Sequence, residues 1–376
     1  MDNPLRLLND LTPSEFLRDY WQKKPLLIRS AIPNFAGLLT PNELAGLACE
    51  DDVQARLIQH KKQKWIVRNS PFDEEDFKKL PKQGWTLLVQ SVNHYIPVAA
   101  SLLALFNFIP NARFDDLMVS YAPVGGGVGP HFDSYDVFLL QGSGKRKWKI
   151  SSQKDLSLIE DAPLRILKNF KTEEEWILEA GDILYLPPQI AHWGTAVGEN
   201  CMTYSIGFRA PKTKELMYEF LSYLQDNITA EGLYEDADLS LQVHPAEIHE
   251  SMLTKVDAML QKITWSKEII ADFLGIYLTE PKNEVIFTPN RKISVLEFEN
   301  KLAKKPIQLD IKSQLLFYQH KFYLNGDRLV VPSALIDCAQ KLADHRILDT
   351  PNLAKNVQEK LARILHEAYL AGFLAY

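Results

Sequence analysis

Gly125-Gly126-Gly127-Val128-Gly129-Pro130-His131-Phe132-Asp133 runs directly into Ser134-Tyr135-Asp136-Val137-Phe138-Leu139-Leu140, and Pro187-Pro188-Gln189-Ile190-Ala191-His192-Trp193 follows far downstream. Two imidazoles and one carboxylate form the facial triad that holds non-haem Fe(II) and leaves positions open for oxygen chemistry. Residues two apart on a strand share a face, so a strand over 131–140 points His131 and Asp133 at one ion. His192 must then arrive on a second strand folded back beside the first, which is a barrel geometry.

The surrounding pattern agrees. Short strands are expected over 117–121, 131–140, 147–150, 175–179, 183–186 and 202–208, with turns at Gly142-Ser143-Gly144 and Ala180-Gly181-Asp182. Regular short strands with such turns predict an all-β barrel or jelly roll. Upstream, Thr12-Pro13-Ser14-Glu15 and Thr40-Pro41-Asn42-Glu43 start helices, and strands are expected over 25–28 and 85–90. The apolar run 96–109 is too short to span a bilayer and contains Asn107, so a buried helix is expected there.

Beyond Pro211 helical stripes replace strands, over 214–225, 247–263 and 267–278. Tyr323-Leu324-Asn325-Gly326-Asp327-Arg328-Leu329-Val330-Val331 predicts a hairpin, because Asn-Gly tolerates the positive φ of a type I′ turn. A helix over 357–373 ends the chain. Helices with one hairpin are compatible with a winged-helix module. The expected division is 1–210 for the barrel with its N-terminal helices, 211–280 for a helical segment and 281–376 for the module.

Composition bounds the rest. The chain has 376 residues, is 46% hydrophobic and carries a net charge of −6. An acidic chain disfavours direct nucleic-acid binding and permits a basic protein partner. Cys49, Cys201 and Cys338 support neither a disulfide framework nor a CxxC zinc site, and they fit a reducing compartment. The first residues lack a signal-peptide pattern. A soluble, cytoplasmic protein is expected, with no membrane partner.

His131, Asp133 and His192 suit zinc with one water as well as Fe(II) with three open positions. Arg146 bears on the choice. In Lys145-Arg146-Lys147 it alternates with both lysines, so it can face inward while they face water. A buried guanidinium there would grip a carboxylate bidentately, and 2-oxoglutarate would chelate iron at one end and meet Arg146 at the other. The plainer reading of these three residues is a solvated hairpin. His244 and His249 are five apart and offer no i,i+4 ligand pair.

Met118-Val119-Ser120-Tyr121, 125–133 and Tyr135-Asp136-Val137-Phe138-Leu139-Leu140-Gln141-Gly142 resemble the bacterial JmjC-type ribosomal oxygenases. The branch they most resemble hydroxylates an arginine of a large-subunit ribosomal protein. The resemblance covers nearly the whole chain, since the tail is similar to the family's helical dimerisation segment and C-terminal winged helix. It implies a mainly β catalytic domain with α elements, built as a double-stranded β-helix, the JmjC/cupin jelly roll.

It also implies roles. His131, Asp133 and His192 would ligate Fe(II), and Arg146 would bind the distal carboxylate of 2-oxoglutarate, with dioxygen as the other co-substrate. Where some relatives have a carboxylate-binding threonine this chain has Val128, which makes Ser120 and Ser205 candidate replacements. An arginine substrate needs acidic and aromatic walls, and Tyr135 is the wall candidate because it shares the expected strand face of His131 and Asp133. A large-subunit ribosomal protein as substrate and a homodimer follow from the same resemblance. Alternatives on the same residues are an N-methyl-lysine demethylase, a zinc cupin, and a metal-sensing winged-helix regulator that binds nucleic acid. The last is disfavoured because the expected wing, Asn325-Gly326-Asp327-Arg328, carries an acid and one base rather than a basic cluster.

Overall fold

The computed structural model describes residues 2–61, 64–229 and 231–376. The first half carries eleven strands: β1 (Leu26–Ile28), β2 (Ala55–Lys61), β3 (Lys64–Asn69), β4 (Trp85–Val89), β5 (Phe114–Ala122), β6 (Asp136–Ser143), β7 (Arg146–Ser151), β8 (Glu174–Leu178), β9 (Ile183–Leu186), β10 (Ala191–Ala196) and β11 (Cys201–Phe208). They form an eight-stranded sheet of order β1-β9-β6-β11-β5-β4-β2-β3 and a three-stranded sheet of order β10-β7-β8. The recorded pairings are antiparallel. This is the expected jelly roll.

The long apolar run of β6 has a simple cause. Val137 and Leu139 join Trp148, Ile150, Leu184 and Leu186 in one apolar cluster. Phe138 and Leu140 join the larger cluster built on Phe16, Phe106, Tyr185 and Phe208. Both faces of the strand are therefore covered, and alternation gives way to a continuous hydrophobic stretch. The N-terminal helices that cover the outer face start as their sequence predicts. At Pro13–Asp19, Thr12 Oγ1 accepts from Glu15 N at 3.2 Å and Glu15 Oε2 accepts from Thr12 N at 2.8 Å, a reciprocal capping box.

Three expectations change. The strand over 131–140 begins at Asp136, not at His131. His131 makes one antiparallel bridge with His192, and Asp133 O then accepts from Gln189 N at 2.8 Å, a loop contact that replaces the ladder. The buried Asp136 carboxylate fixes the true start by accepting from Tyr185 Oη at 2.6 Å and Gln22 Nε2 at 2.9 Å. The run 96–109 is a short helix, Pro97–Leu103, plus one 3₁₀ turn on the outside of the sheet. Ala99, Leu102 and Phe106 are buried, whereas Val98 and Leu105 stand in water, because one stripe of a surface helix meets the core. The hairpin β2–β3 was not expected, since its polar and charged residues (Arg56, Gln59, His60, Lys61, Lys64, Arg68) mask the strand pattern at a sheet edge.

Helices Thr213–Asn227, Glu250–Leu260 and Lys267–Thr279 follow the barrel. The C-terminal part then packs helices Val295–Leu302, Ile336–His345 and Lys355–Leu370 around a separate core that includes Phe298, Phe322, Leu335 and Leu361. Among its strands are β12 (Ile307–Leu309), β13 (Leu315–Tyr318), β14 (Lys321–Leu324) and β15 (Asp327–Leu329). The β14–β15 turn has φ of 50° at Asn325 and 89° at Gly326, as a type I′ turn requires.

The first half of that turn is anchored. Gly326 N donates to Thr279 Oγ1 at 3.0 Å, and a Cβ on Gly326 would lie 3.4 Å from Glu280 Cα. Asn325 is buried and bonded to Ser313 and Gln314. Asn325 and Gly326 are therefore anchored, the glycine against the end of helix Lys267–Thr279, whereas Asp327 and Arg328 of the same segment are exposed. Among the described residues no helix is long and apolar enough to cross a membrane.

Candidate active site

The glycine-rich loop lies against the end of β10. Gly125 N donates to Ala196 O and Ala196 N to Gly126 O, each at 2.9 Å. A Cβ on Gly127 would come within 2.3 Å of Gly194 O, so only glycine allows this approach. The loop delivers His131 opposite His192, joined by His131 N to His192 O at 2.9 Å and the reciprocal bond at 2.8 Å. Among the described residues His131, Asp133 and His192 form a cluster with one potential ligand atom each, all within 4.8 Å of one another. Asp133 thus reaches the cluster from a loop and not by strand alternation.

The imidazoles are oriented for ligation. His131 Nδ1 lies 2.9 Å from Gly129 O, and His192 Nδ1 lies 2.9 Å from Ile190 O. A carbonyl only accepts, so each Nδ1 carries the proton and each Nε2 keeps a free lone pair. His192 Nε2 is 3.5 Å from Asp133 Oδ2. Burial, and then the neighbouring His131, push the His192 imidazole down to about 4 against the pull of Asp133. It is neutral at pH 7, as a metal ligand must be.

The cluster opens into a cavity of about 920 Å³ between the two sheets. Arg146, 4% exposed on β7, faces this cavity, while Lys147 and Lys149 alternate outward and pair with Glu175. Its Nε and Nη2 are buried without a partner. Orphaned charged donors beside a three-ligand cluster fit an ion together with an organic carboxylate, because leaving such donors unpaired is costly.

The other expected residues also line the cavity. Ser120 and Ser205 are buried in its wall, and Ser120 Oγ lies 3.5 Å from Thr203 O. Tyr135 sits in the wall at 36% exposure, but on the loop before β6 and not on a strand face. Asp136 points away into the core. Sequence reading missed Thr86, Gln90, Arg56 and Asp116, which line the same cavity. Thr86 Oγ1 and Gln90 Oε1 are buried without partners. The period-two polar positions Thr86 and Gln90, within a stretch already expected to be a strand, were the available signal.

Comparison with known proteins agrees with this geometry. A family model described as the JmjC domain matches residues 101–216, and one described as a ROXA-like winged helix matches 259–375. The ribosomal protein uL16 3-hydroxylase of Escherichia coli is 38% identical over 278 residues, 73% of each chain. A crystal structure of E. coli YcfD superposes with a TM-score of 0.87 at 32% identity, covering 96% of this chain and 97% of that one. YcfD, described as a ribosomal oxygenase, in complex with cobalt and 2-oxoglutarate superposes with a TM-score of 0.84, also at 32% identity and over 96% and 97% of the two chains.

Proposed function

The chain belongs to the JmjC-domain ribosomal oxygenases, and from that premise we propose that it hydroxylates an arginine side chain of the large-subunit ribosomal protein uL16. Its cofactor is Fe(II), with 2-oxoglutarate and dioxygen as co-substrates. The observation that carries the reading is Arg146: a buried guanidinium with two orphan donors, in the cavity of the His131, Asp133, His192 cluster.

His131, Asp133 and His192 hold the ion through two Nε2 atoms and a carboxylate oxygen, and Arg146 takes the distal carboxylate of 2-oxoglutarate. Ser120, Thr86 and Ser205 are hydroxyls of the same wall that can add a hydrogen bond to the co-substrate. With the ion bound, one oxygen of O₂ is inserted into a substrate C–H, the other enters succinate, and carbon dioxide leaves. The protein positions the target carbon and excludes water with Val128, Met118, Leu139 and Trp148. At the outer end Asp116 offers a buried carboxylate and Tyr135 an aromatic face, the pair that a guanidinium requires.

A homodimer is part of the reading. Met217, Tyr218 and Leu221 on Thr213–Asn227, and Met252, Leu253 and Leu260 on Glu250–Leu260, are exposed apolar residues. Light scattering at micromolar concentration is expected to give twice the chain mass, and monomer alone would remove this part. A cytoplasmic site of action belongs to the same reading, supported by the ribosomal substrate named for the Escherichia coli relative. The acidic chain, and a β14–β15 turn that exposes one acid and one base rather than a basic cluster, argue against direct nucleic-acid binding.

Intact-protein mass spectrometry of large-subunit ribosomal proteins, incubated with enzyme, Fe(II) and 2-oxoglutarate, tests the proposal. One added oxygen on uL16, absent with His131→Ala, is expected. Formaldehyde release with loss of a methyl group would move the assignment to demethylation. Turnover of 2-oxoglutarate with uL16 unchanged would remove the substrate and keep the chemistry.

A further inference from the structure

The barrel does not close its own cavity. Lys282 lines the outer wall, yet it lies beyond the barrel, just after helix Lys267–Thr279 ends. Its Nζ is 2.8 Å from Asp115 Oδ1.

Asp115 and Asp116 are neighbours on β5, and both line the cavity. Neighbours on a regular strand face opposite ways. Here the register against β11 shifts between Ile206↔Leu117 and Phe208↔Phe114, so Gly207 alone opposes the two aspartates. Two residues against one is a β-bulge, a device that re-aims side chains beside active sites. It brings two carboxylates to one wall, where the substrate cation needs one.

Lys282 is fixed from the other side as well. Thr279 Oγ1 accepts from Gly326 N at 3.0 Å, which pins the end of the helix to the β14–β15 turn. Lys282 O accepts from Val285 N at 2.8 Å, so the linker folds into a turn at this lysine. Burial opposes its charge, but Asp115 and then Asp116 outweigh that and hold the ammonium above its ordinary pKa. Burial raises the Asp116 carboxyl and Asp115 adds to the rise, while Lys282 and then Ser91, whose N donates to Asp116 Oδ2 at 3.0 Å, oppose both and, among the described residues, leave Oδ1 free.

We propose that Lys282 is a positioning residue for substrate selection: it holds Asp115 and leaves Asp116, of the two, as the carboxylate that receives the cationic side chain. The C-terminal part of the chain thereby takes part in substrate recognition through one linker lysine. This rests on the arginine-substrate reading above.

The test uses the full chain with Fe(II), 2-oxoglutarate and purified uL16. Lys282→Met leaves two adjacent carboxylates that share one charge, so the KM for uL16 is expected to rise about tenfold while the KM for 2-oxoglutarate stays. Asp115→Asn frees Lys282 to pair with Asp116 in the place of the substrate, and about a tenfold rise is expected again. The double variant removes both groups and is expected to return the KM to within about threefold of the parent, a coupling that independent sites do not show. Lys282→Arg keeps the pair and is expected to stay in the same range. A Lys282→Met KM for uL16 equal to the parent's, or a double variant worse than either single one, as a mere strut would give, overturns the proposal. If the parent consumes 2-oxoglutarate but leaves uL16 unmodified, the substrate reading and this role fall together. If the parent modifies uL16 and Lys282→Met matches it, only the role of the lysine falls.

Discussion

Buried polar groups are treated differently in the barrel and in the C-terminal part. Among the described residues, Thr86 Oγ1, Gln90 Oε1, Arg146 Nε and Nη2, and Trp148 Nε1 are buried without partners, and all of these residues line one cavity. In the C-terminal part the corresponding group is the Tyr376 hydroxyl alone. There, Asn325 bonds Ser313, Gln358 bonds Thr350 O, Thr350 bonds Lys305 O, and His366 bonds Ile293 O. An unpaired buried donor or acceptor costs roughly 1–3 kcal/mol. A fold that gathers several in one place is arranged for a ligand, and one that pairs them is arranged for itself.

Two histidines make the sharpest break between the regions. His131 bonds a carbonyl through Nδ1 and keeps Nε2 free, whereas His366 spends Nε2 on Ile293 O. His131→Ala is expected to lower 2-oxoglutarate turnover by about 10³-fold or more, read as succinate release, with little change in the melting temperature of metal-free protein. His366→Ala is expected to do the reverse, costing about 1–2 kcal/mol in urea unfolding and leaving the KM for 2-oxoglutarate in place. Equal effects of both on turnover would erase the contrast.

Arg146→Met comes next. Loss of a charge-assisted bidentate pair is expected to raise the KM for 2-oxoglutarate about 100-fold. Without ligand the same change removes orphan donors and keeps volume, so the variant is expected to be as stable as the parent, or more stable by about 1 kcal/mol. The parent gains melting temperature on adding 2-oxoglutarate with a metal, and the variant does not. An Arg146→Met protein that unfolds more readily without ligand would mean that the guanidinium serves the fold.

Much of this contrast can be read from sequence, for identifiable reasons. His131, Asp133 and His192 stand out because a metal needs those donor types, and Arg146 because strand alternation separates it from Lys145 and Lys147. Both arguments are local. Asp116, Lys282 and Arg56 were not legible, because only sheet order and linker path bring β5, the 280s and β2 to one wall. The bulge at Gly207 has no local signature, so a strand with two adjacent aspartates reads as one inside and one outside. The early strand start failed for a related reason. The pattern of His131 and Asp133 fits a strand, but their backbone bonds go to His192 and Gln189. The β14–β15 turn was legible in type, but its packing was not, since what anchors it comes from elsewhere in the chain.

Gly326→Ala probes the satisfied region at smaller cost. A φ of 89° is unfavourable for any side chain, while the new Cβ would meet Glu280 at ordinary contact distance, so the cost comes from the backbone. About 1–2 kcal/mol of stability is expected to be lost in urea unfolding, with the KM for 2-oxoglutarate unaffected. A shift in that KM would show that strain at the turn reaches the Arg146 end of the cavity.

The smallest effect belongs to the seam between the regions. His94 is pushed down to about 4, first by burial and then by Lys282, Lys312 and Arg346, with Asp115 opposing. Its folded pKa thus lies below its unfolded value near 6.5. Between those values the unfolded chain binds a proton that the folded chain refuses, so stability rises with pH across this window and is lost as pH falls. At about pH 5.5 the loss from this residue is on the order of 1 kcal/mol. Urea unfolding of the parent and of His94→Gln at neutral pH and at about pH 5.5 reads it out, and the variant should lose less on acidification. Parallel losses would mean that the folded seam admits the proton, through water or by opening. The barrel and C-terminal part would then be less firmly joined at Lys282 than the Asp115 pair and the Gly326–Thr279 bond imply.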